Sequence, residues 1–224
     1  MTSAEEKLGY RFSNKELLTR ALTHSSARGG KHIKGDNERL EFLGDSVLQL
    51  VTSKFLYMGL TDAKEGRMTK IRATLVCEES LASIAKELNL GAEILMDKGE
   101  EQSGGRSRPS ILSDALEAVI AAIYLDGGFS AAEAFVLKRF PSAESLASVK
   151  NVTGDYKTEL QEIIQQNPEE HIVYETTVGG EANGVPLFHS EVKLNEQTIG
   201  SGKGISKKKA EQEAAREALR LMGI

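Results

Sequence analysis

The chain has 224 residues, 40% hydrophobic and 27% charged, the ordinary proportions of a folded globular protein. That length is long for one domain and short for two full ones, so one main domain with a small module is expected. A net charge of −5 argues against a generally basic nucleic-acid binder, so any such contact has to be local.

Residues 1–7 lack the apolar stretch of a secretory signal, and no apolar run approaches the length of a membrane span. A cytoplasmic protein without a membrane partner is therefore expected. Leu8, Phe12, Leu17, Leu18, Ala21 and Leu22 lie at helical spacing within 5–26. They predict a short helix and then a longer one, capped near Ser13-Asn14. Residues 27–35 form a Gly-rich basic loop. His24 and His32 are not spaced as metal ligands on one element, and both read as core or loop histidines.

Asp36 to Leu50 is the most informative stretch. At about 100° per residue it is a helix with two faces. Leu40, Leu43, Val47, Leu50 and Val51 share an arc that would face a core. Glu38, Glu41 and Asp45 share another, at spacings i, i+3 and i+7. Clustered carboxylates repel one another and weaken a helix by a few tenths of a kcal/mol per pair, so a divalent cation or plain solvation has to offset them. Phe42 lies beside the acidic arc and off the apolar one. A large aromatic there fills a neighbouring helix's groove or meets another subunit.

Helix continues over 62–76, with Met68, Ile71, Leu75 and Val76 as its stripe and Glu65 near its start. Cys77 follows an apolar run and reads as a buried structural thiol. As the single cysteine it excludes an internal disulfide and fits a reducing compartment. Residues 78–90 predict another helix, and 98–109 read as a mobile polar loop. Ser110 to Leu125 is a second informative helix, with Leu112, Leu116, Val119, Ile120 and Ile123 on one arc. Asp114 and Glu117 lie opposite, flanked by alanines that permit close approach of another helix. Gly127-Gly128 ends it, and a further helix runs to Phe140.

Residues 145–153 read as a linker between a helical domain over 1–144 and a module over 154–224. The module's pattern is α-β-β-β-α, with strands near 172–178, 187–194 and 197–202 and an Ala-rich helix over 206–222. It carries 8 basic against 12 acidic residues. Yet Lys203 and the triplet Lys207, Lys208 and Lys209 crowd a Gly-rich turn and a helix N-terminus. Lysines are unfavourable at that end unless an anion meets them, and backbone N–H groups converge there on phosphate.

Glu41, Asp45, Asp114 and Glu117 thus come from two helices whose other faces are apolar. An all-oxygen set suits a hard cation such as Mg²⁺, with Mn²⁺ able to substitute. The chemistry it supports is phosphodiester hydrolysis. The competing reading is a pair of solvated acidic faces.

The run from Asn37 to Leu48, Asn-Glu-Arg-Leu-Glu-Phe-Leu-Gly-Asp-Ser-Val-Leu, resembles the signature stretch of bacterial ribonuclease III. Leu8-Gly-Tyr-Arg-Phe12, Ala21-Leu-Thr-His-Ser25 and Asp114-Ala-Leu-Glu117 are similar to further features of that family. Asp155 to Glu162 and Gly202 to Ala215 resemble a double-stranded RNA-binding domain. The resemblance spans essentially the whole chain. It implies an all-α endonuclease domain followed by a small α+β double-stranded RNA-binding domain. The implied enzyme is a homodimer with two active sites along a valley that accepts duplex RNA. It also implies that Glu41, Asp45, Asp114 and Glu117 hold Mg²⁺, with Asp45 and Glu117 catalytic and Glu117 the most critical. Glu38 and Glu65 would be auxiliary acids near the cleavage site or subunit junction, and Phe42 would insert into the partner subunit. Products would carry 5′-phosphate and 3′-hydroxyl ends, with ribosomal RNA precursors and other structured transcripts as substrates.

In the module the resemblance assigns Gln161 to the minor groove and Lys207 and Lys208 to phosphates, with Lys203 and Lys209 as helpers. The family's loop histidine is displaced here. The matching position is Gly184, with Asn183 a possible substitute, and His189 sits on the neighbouring strand. Two rival functions are a regulator that holds duplex RNA without cutting and a hydrolase of small phosphate esters. The four carboxylates argue against the first and the module against the second.

Overall fold

The structure, a computed structural model, describes residues 2–27, 35–148, 155–165, 167, 169–182 and 185–223. Contacts divide the chain into two units, Met1–Ser148 and Val149–Ile224, each with its own core.

The first unit is helical among its described residues. It runs α1 (Ser3–Leu8), α2 (Lys15–Ala21), α3 (Glu38–Gly59), α4 (Glu65–Leu75), α5 (Glu78–Glu87), α6 (Lys98–Gln102), α7 (Pro109–Leu137) and α8 (Ala143–Ser148). The unit is built around α7, which starts on Pro109, where a fixed φ suits the first helical position. Leu112, Leu116, Val119, Ile120 and Ile123 are buried on it, and so are Ala115, Ala118, Ala121 and Ala122. A helix apolar all round belongs in a core, and α2, α3 and α5 pack against this one. By length and composition alone α7 would also suffice to cross a bilayer. The sequence expectation that no apolar run reaches that length therefore fails here. At Gly128 the backbone takes φ 78° and leaves the helical region, so one helical stretch ends there and another follows directly, as Gly127-Gly128 suggested.

The N-terminal end is tied down by a buried carboxylate. Glu5 has no solvent exposure. It accepts the backbone N–H groups of Thr2 and Phe12, both at 2.8 Å, and pairs with the Lys15 ammonium. Lys15 first, and then those two N–H groups, hold its pKa near 2.

Four local expectations change. Leu50 is 58% exposed, and Leu48 takes the buried place on α3. The 98–109 segment holds α6 and a short 3₁₀ turn at Gly105–Ser107. Arg106 anchors it by donating to the carbonyls of Gly91 at 2.8 Å and Ile94 at 2.9 Å, and Arg108 pairs with Glu100 at 2.6 Å. Cys77 is half-buried rather than buried, its thiol donating to the Thr74 carbonyl. Residues 145–148, assigned to the linker from sequence, lie in α8, where Leu146 is buried.

The second unit has the expected order: α9 (Tyr156–Ile164), β1 (Ile172–Ala182), β2 (Val185–Leu194), β3 (Gln197–Gly204) and α10 (Lys207–Leu221). The sheet is antiparallel in the order β1-β2-β3. Leu160, Ile164, Val192, Ala214, Ala215, Ala218 and Leu219 form its core. Helix α10 lies directly on β3 because both surfaces are small: a Cβ at Gly202 would come 2.3 Å from the Ala214 nitrogen.

Candidate metal centre and RNA-binding surface

The two acidic helices meet where a side chain is missing. A Cβ built on Gly44 would lie 1.9 Å from the carbonyl oxygen of Glu117, so α3 and α7 touch backbone to backbone at that point. Glu41 and Asp45 flank Gly44 on α3, and Asp114 lies one turn before Glu117 on α7. The crossing therefore gathers all four carboxylates.

Their electrostatics show the gathering. Burial, followed by Asp45, Glu41 and Asp114, pushes the Glu117 pKa up to about 8. Burial, then Asp114 and Glu38, raises Glu41. Asp114 is raised by burial and by Glu78, while the Ser113 hydroxyl and His24 pull it down. Among the described residues none of the four forms an ion pair. Asp45 accepts only the Gln49 amide at 3.4 Å, and Asp114 only the Ser113 hydroxyl at 3.3 Å. Among the described residues, charge of one sign has been concentrated with no ion pair to offset it.

The donors are all carboxylate oxygens, which fits a hard divalent cation. Among the described residues no three acidic, imidazole or thiol groups stand close enough to enclose an ion by themselves. Mg²⁺ rarely asks for such a cage: it keeps several waters and takes one or two carboxylates with substrate phosphate oxygens. An open cluster on a helix crossing suits that habit.

The other sequence-predicted acids fall in two places. Glu38 is exposed at the first turn of α3 and acts on Glu41. Glu65 is elsewhere, accepting the Thr69 hydroxyl at 2.7 Å on the wall of a cleft between α3 and α4. This cleft, of about 410 Å³, is lined by Leu50, Leu56, Tyr57, Met68 and the stem of Lys54 among others. Phe42 is 80% exposed on α3, and Tyr57 and Met58 are largely exposed too. Sequence reasoning passed over Gly44, although an isolated Gly inside a helical pattern signals close packing. It also missed Glu78 and His24 as neighbours of Asp114; no spacing rule links those positions.

In the second unit Lys207, Lys208 and Lys209 occupy the exposed first turn of α10, whose N-cap Ser206 accepts the Lys209 N–H at 3.3 Å. Lys203 is exposed on β3, and Gln161 is exposed on α9. Helix α9 is held to α10 by Lys157, which pairs with Glu211 at 2.7 Å and donates its backbone N–H to Gln212 at 3.0 Å. His189 stands opposite Lys203 in the strand register. Asn183, Gly184 and His32 lie outside the described residues.

Comparison with known proteins places these features. The ribonuclease-III-like family model matches residues 14–143, and the double-stranded RNA binding motif matches 156–222. The chain is 48% identical, over all of its length and 99% of the relative's, to Ribonuclease 3 of Caldanaerobacter subterraneus subsp. tengcongensis. It is 47% identical to Ribonuclease 3 of Clostridium perfringens, again over its whole length and 94% of the relative's. Among solved structures it is similar to the nuclease domain of ribonuclease III from Campylobacter jejuni, with a TM-score of 0.58 and 49% identity. That match covers 61% of this chain and 93% of the other, and that structure concerns flexibility in a region involved in dimer formation. With its acidic helix crossing in one unit and its lysine-headed helix in the other, the chain belongs to the ribonuclease III family and is an endoribonuclease of double-stranded RNA.

Proposed function

We propose that Glu41, Asp45, Asp114 and Glu117 hold Mg²⁺, or Mn²⁺ in its place, and that this centre cuts the duplex. The observation that carries the reading is the Gly44–Glu117 contact, which concentrates four carboxylates that form no ion pair among the described residues and lifts Glu117 to about 8. Such an arrangement is unfavourable without a cation, and the family supplies the reaction that needs one. When bound, the ion polarises a water and stabilises the oxygen that leaves phosphorus. The chain's own part is to present oxygens in fixed positions, Glu117 giving up to the cation the proton that burial and its neighbouring acids make it hold. In the hydrolysis a water oxygen joins phosphorus and the bond to the 3′ oxygen breaks, leaving 5′-phosphate and 3′-hydroxyl ends.

The working form is a homodimer. Helix α3 carries the exposed Phe42 and also lines the α3–α4 cleft, and the two would serve as knob and socket of a self-complementary two-fold interface. Glu65, on the cleft wall, would then stand at the subunit junction, and Glu38 beside the metal. The second unit reads duplex shape: Gln161 reaches the minor groove, while Lys207 and Lys208, helped by Lys203 and Lys209, meet phosphates. Ribosomal RNA precursors and other structured transcripts in the cytoplasm are the natural substrates.

The deciding experiment incubates a labelled duplex RNA with wild type and Glu117→Gln, with and without Mg²⁺. Wild type should cut only with the ion, and the variant should bind without cutting. A wild type that binds duplex yet never cuts it in Mg²⁺ or Mn²⁺ would overturn the metal reading.

A further inference from the structure

Helix α9 has nine residues, fewer than the roughly 12 that an isolated helix needs in water, so its place is set by what it packs on. Its buried side chains are Leu160 and Ile164. The turn before them, 155–159, has only half-buried residues. Polar bonds to α10 fasten that turn. Asp155 caps α9 by accepting the Thr158 N–H at 3.3 Å, and the same oxygen accepts the Gln212 amide at 2.8 Å. The Gln212 oxygen in turn accepts the Lys157 backbone N–H at 3.0 Å. The Lys157 ammonium pairs with Glu211 at 2.7 Å and lies 4.5 Å from the centre of the Tyr174 ring on β1.

Glu211 is 9% exposed, and a carboxylate so placed needs a partner. Stability does not explain the choice, since an apolar pair of similar volume in such a place is often as stable or more so. What a satisfied network of directional bonds adds is one relative setting of the two helices. That setting matters because of what stands one helical turn away. Gln161 is four residues beyond Lys157 on α9, and Lys207 and Lys208 are four residues before Glu211 and Gln212 on α10. The bridge thus joins the turn next to the groove-reading group with the turn next to the phosphate-reading ones.

We infer that Lys157, Glu211 and Gln212 are positioning residues for RNA binding: their bridge fixes the distance between Gln161 and the lysines at the head of α10, so that one duplex meets both at once. None of the three touches RNA in this role. The inference rests on the RNA contacts proposed above.

The test measures affinity for a labelled duplex RNA at several salt concentrations, in the full-length Glu117→Gln protein as the parent. The paired variant Lys157→Met/Glu211→Met removes the ion pair without leaving a buried charge alone, and fills its volume with flexible side chains. Gln161→Ala should cost the parent roughly fivefold in affinity, the worth of one hydrogen bond. The paired variant should lose at least as much. Adding Gln161→Ala to it should cost less than about twofold more, because a misplaced Gln161 has little left to lose. Its slope of log affinity against log salt should stay that of the parent, since the α10 lysines still meet phosphates. Lys157→Arg keeps the charge and the donor, and should match the parent in both readings.

A merely structural bridge would shift the melting temperature and leave the Gln161 penalty untouched. Parental affinity in the paired variant, or an undiminished Gln161 penalty in it, would therefore overturn the inference. So would a slope lower by about 1, because Lys157 would then be a phosphate contact itself. If circular dichroism shows the paired variant unfolded, Gln212→Leu decides by the same two readings, since it removes the other bonds of the bridge. Should Gln161→Ala bind as the parent does, the RNA-contact reading fails and takes the inference with it. A weakened Gln161→Ala beside a paired variant of parental affinity sinks the inference alone.

Discussion

Gly44 and Glu117 meet so closely that a methyl group on residue 44 would overlap the residue 117 carbonyl oxygen. Helix propensity alone would make Gly44→Ala stabilising by about 1 kcal/mol. The clash is with backbone, which cannot swing aside as a side-chain tip can, so α3 and α7 must part. Overpacking of this kind destabilises by roughly 1–3 kcal/mol, and the net effect is a less stable protein. Cleavage should suffer more than folding, because a misplacement of about 1 Å at a reacting centre costs on the order of a hundredfold. Urea midpoints and single-turnover cleavage of the same variant check both. A stable, fully active Gly44→Ala would show that the crossing does not set the acid geometry.

Glu117, with a folded pKa of about 8, makes stability depend on pH in a definite direction. Unfolded, it titrates near the ordinary value of 4.5. Between those values the folded state binds the extra proton, so the metal-free fold loses stability as pH rises through that window. Glu117→Gln should remove this loss and be more resistant to urea than wild type at pH 9 in chelator. Mn²⁺ must displace the same proton, so its affinity for wild type should rise by roughly tenfold per pH unit below about 8 and then level off. Calorimetry at several pH values reads the slope, and a flat profile would contradict the raised carboxyl.

Glu5 behaves in the opposite sense. Lys15 and the two backbone N–H groups hold its pKa near 2, below the 4.5 of the unfolded chain. Its contribution is therefore fully present above about pH 4.5 and lost as pH falls toward 2. Glu5→Gln keeps the shape and loses the charge-assisted bonds. It should melt several degrees lower at neutral pH and show a shallower acid limb than wild type in thermal scans at pH 2 to 5.

The acidic arc of α3 was legible because 38, 41 and 45 obey one helical period, and Asp114 and Glu117 obey it on α7. Their meeting was less so: Asp45 and Asp114 are far apart in the chain, and the contact that unites them depends on an atom Gly44 lacks. Periodicity also misassigned Leu50. It lies at the edge of the arc that Val47 and Val51 bury in the core, on the side that lines the α4 cleft, while Leu48 extends the core-facing arc on the other side. The 98–109 segment has the composition of a free loop, and what pins it is Arg106 reaching carbonyls of residues 91 and 94, a pairing with no local pattern. The second unit was read more fully because its strands alternate and its helices are short, so nearly all of its order is local.

Phe42 gives a test of the assembly. An isologous interface buries it twice, and each full burial of a Phe contributes about 1.5–3 kcal/mol. Phe42→Asp should weaken dimerisation by at least roughly a hundredfold, on that same area argument. Sedimentation velocity at micromolar protein should then show monomer where wild type is dimer. Leu50→Asp, on the cleft rather than the knob, should act alike. A Phe42→Asp protein that sediments as wild type does would place the interface on another surface.

The lysines at the head of α10 can be separated from the acidic centre by salt. If Lys207 and Lys208 meet phosphates, each releases about one counterion on binding, and removing one should lower the slope of log affinity against log salt by about 1. The double variant Lys207→Ala/Lys208→Ala, in a Glu117→Gln background that prevents cutting, should lose about 2 in slope. The loss should be the same for duplexes of unrelated sequence, since the contacts read shape and charge rather than bases. Lys207 is exposed and lies 4.0 Å from the buried Glu211, which Lys157 already pairs at 2.7 Å, so its deletion should leave thermal stability nearly unchanged. A slope that does not move would assign the lysines to solvent and leave Gln161, Lys203 and Lys209 to carry the binding.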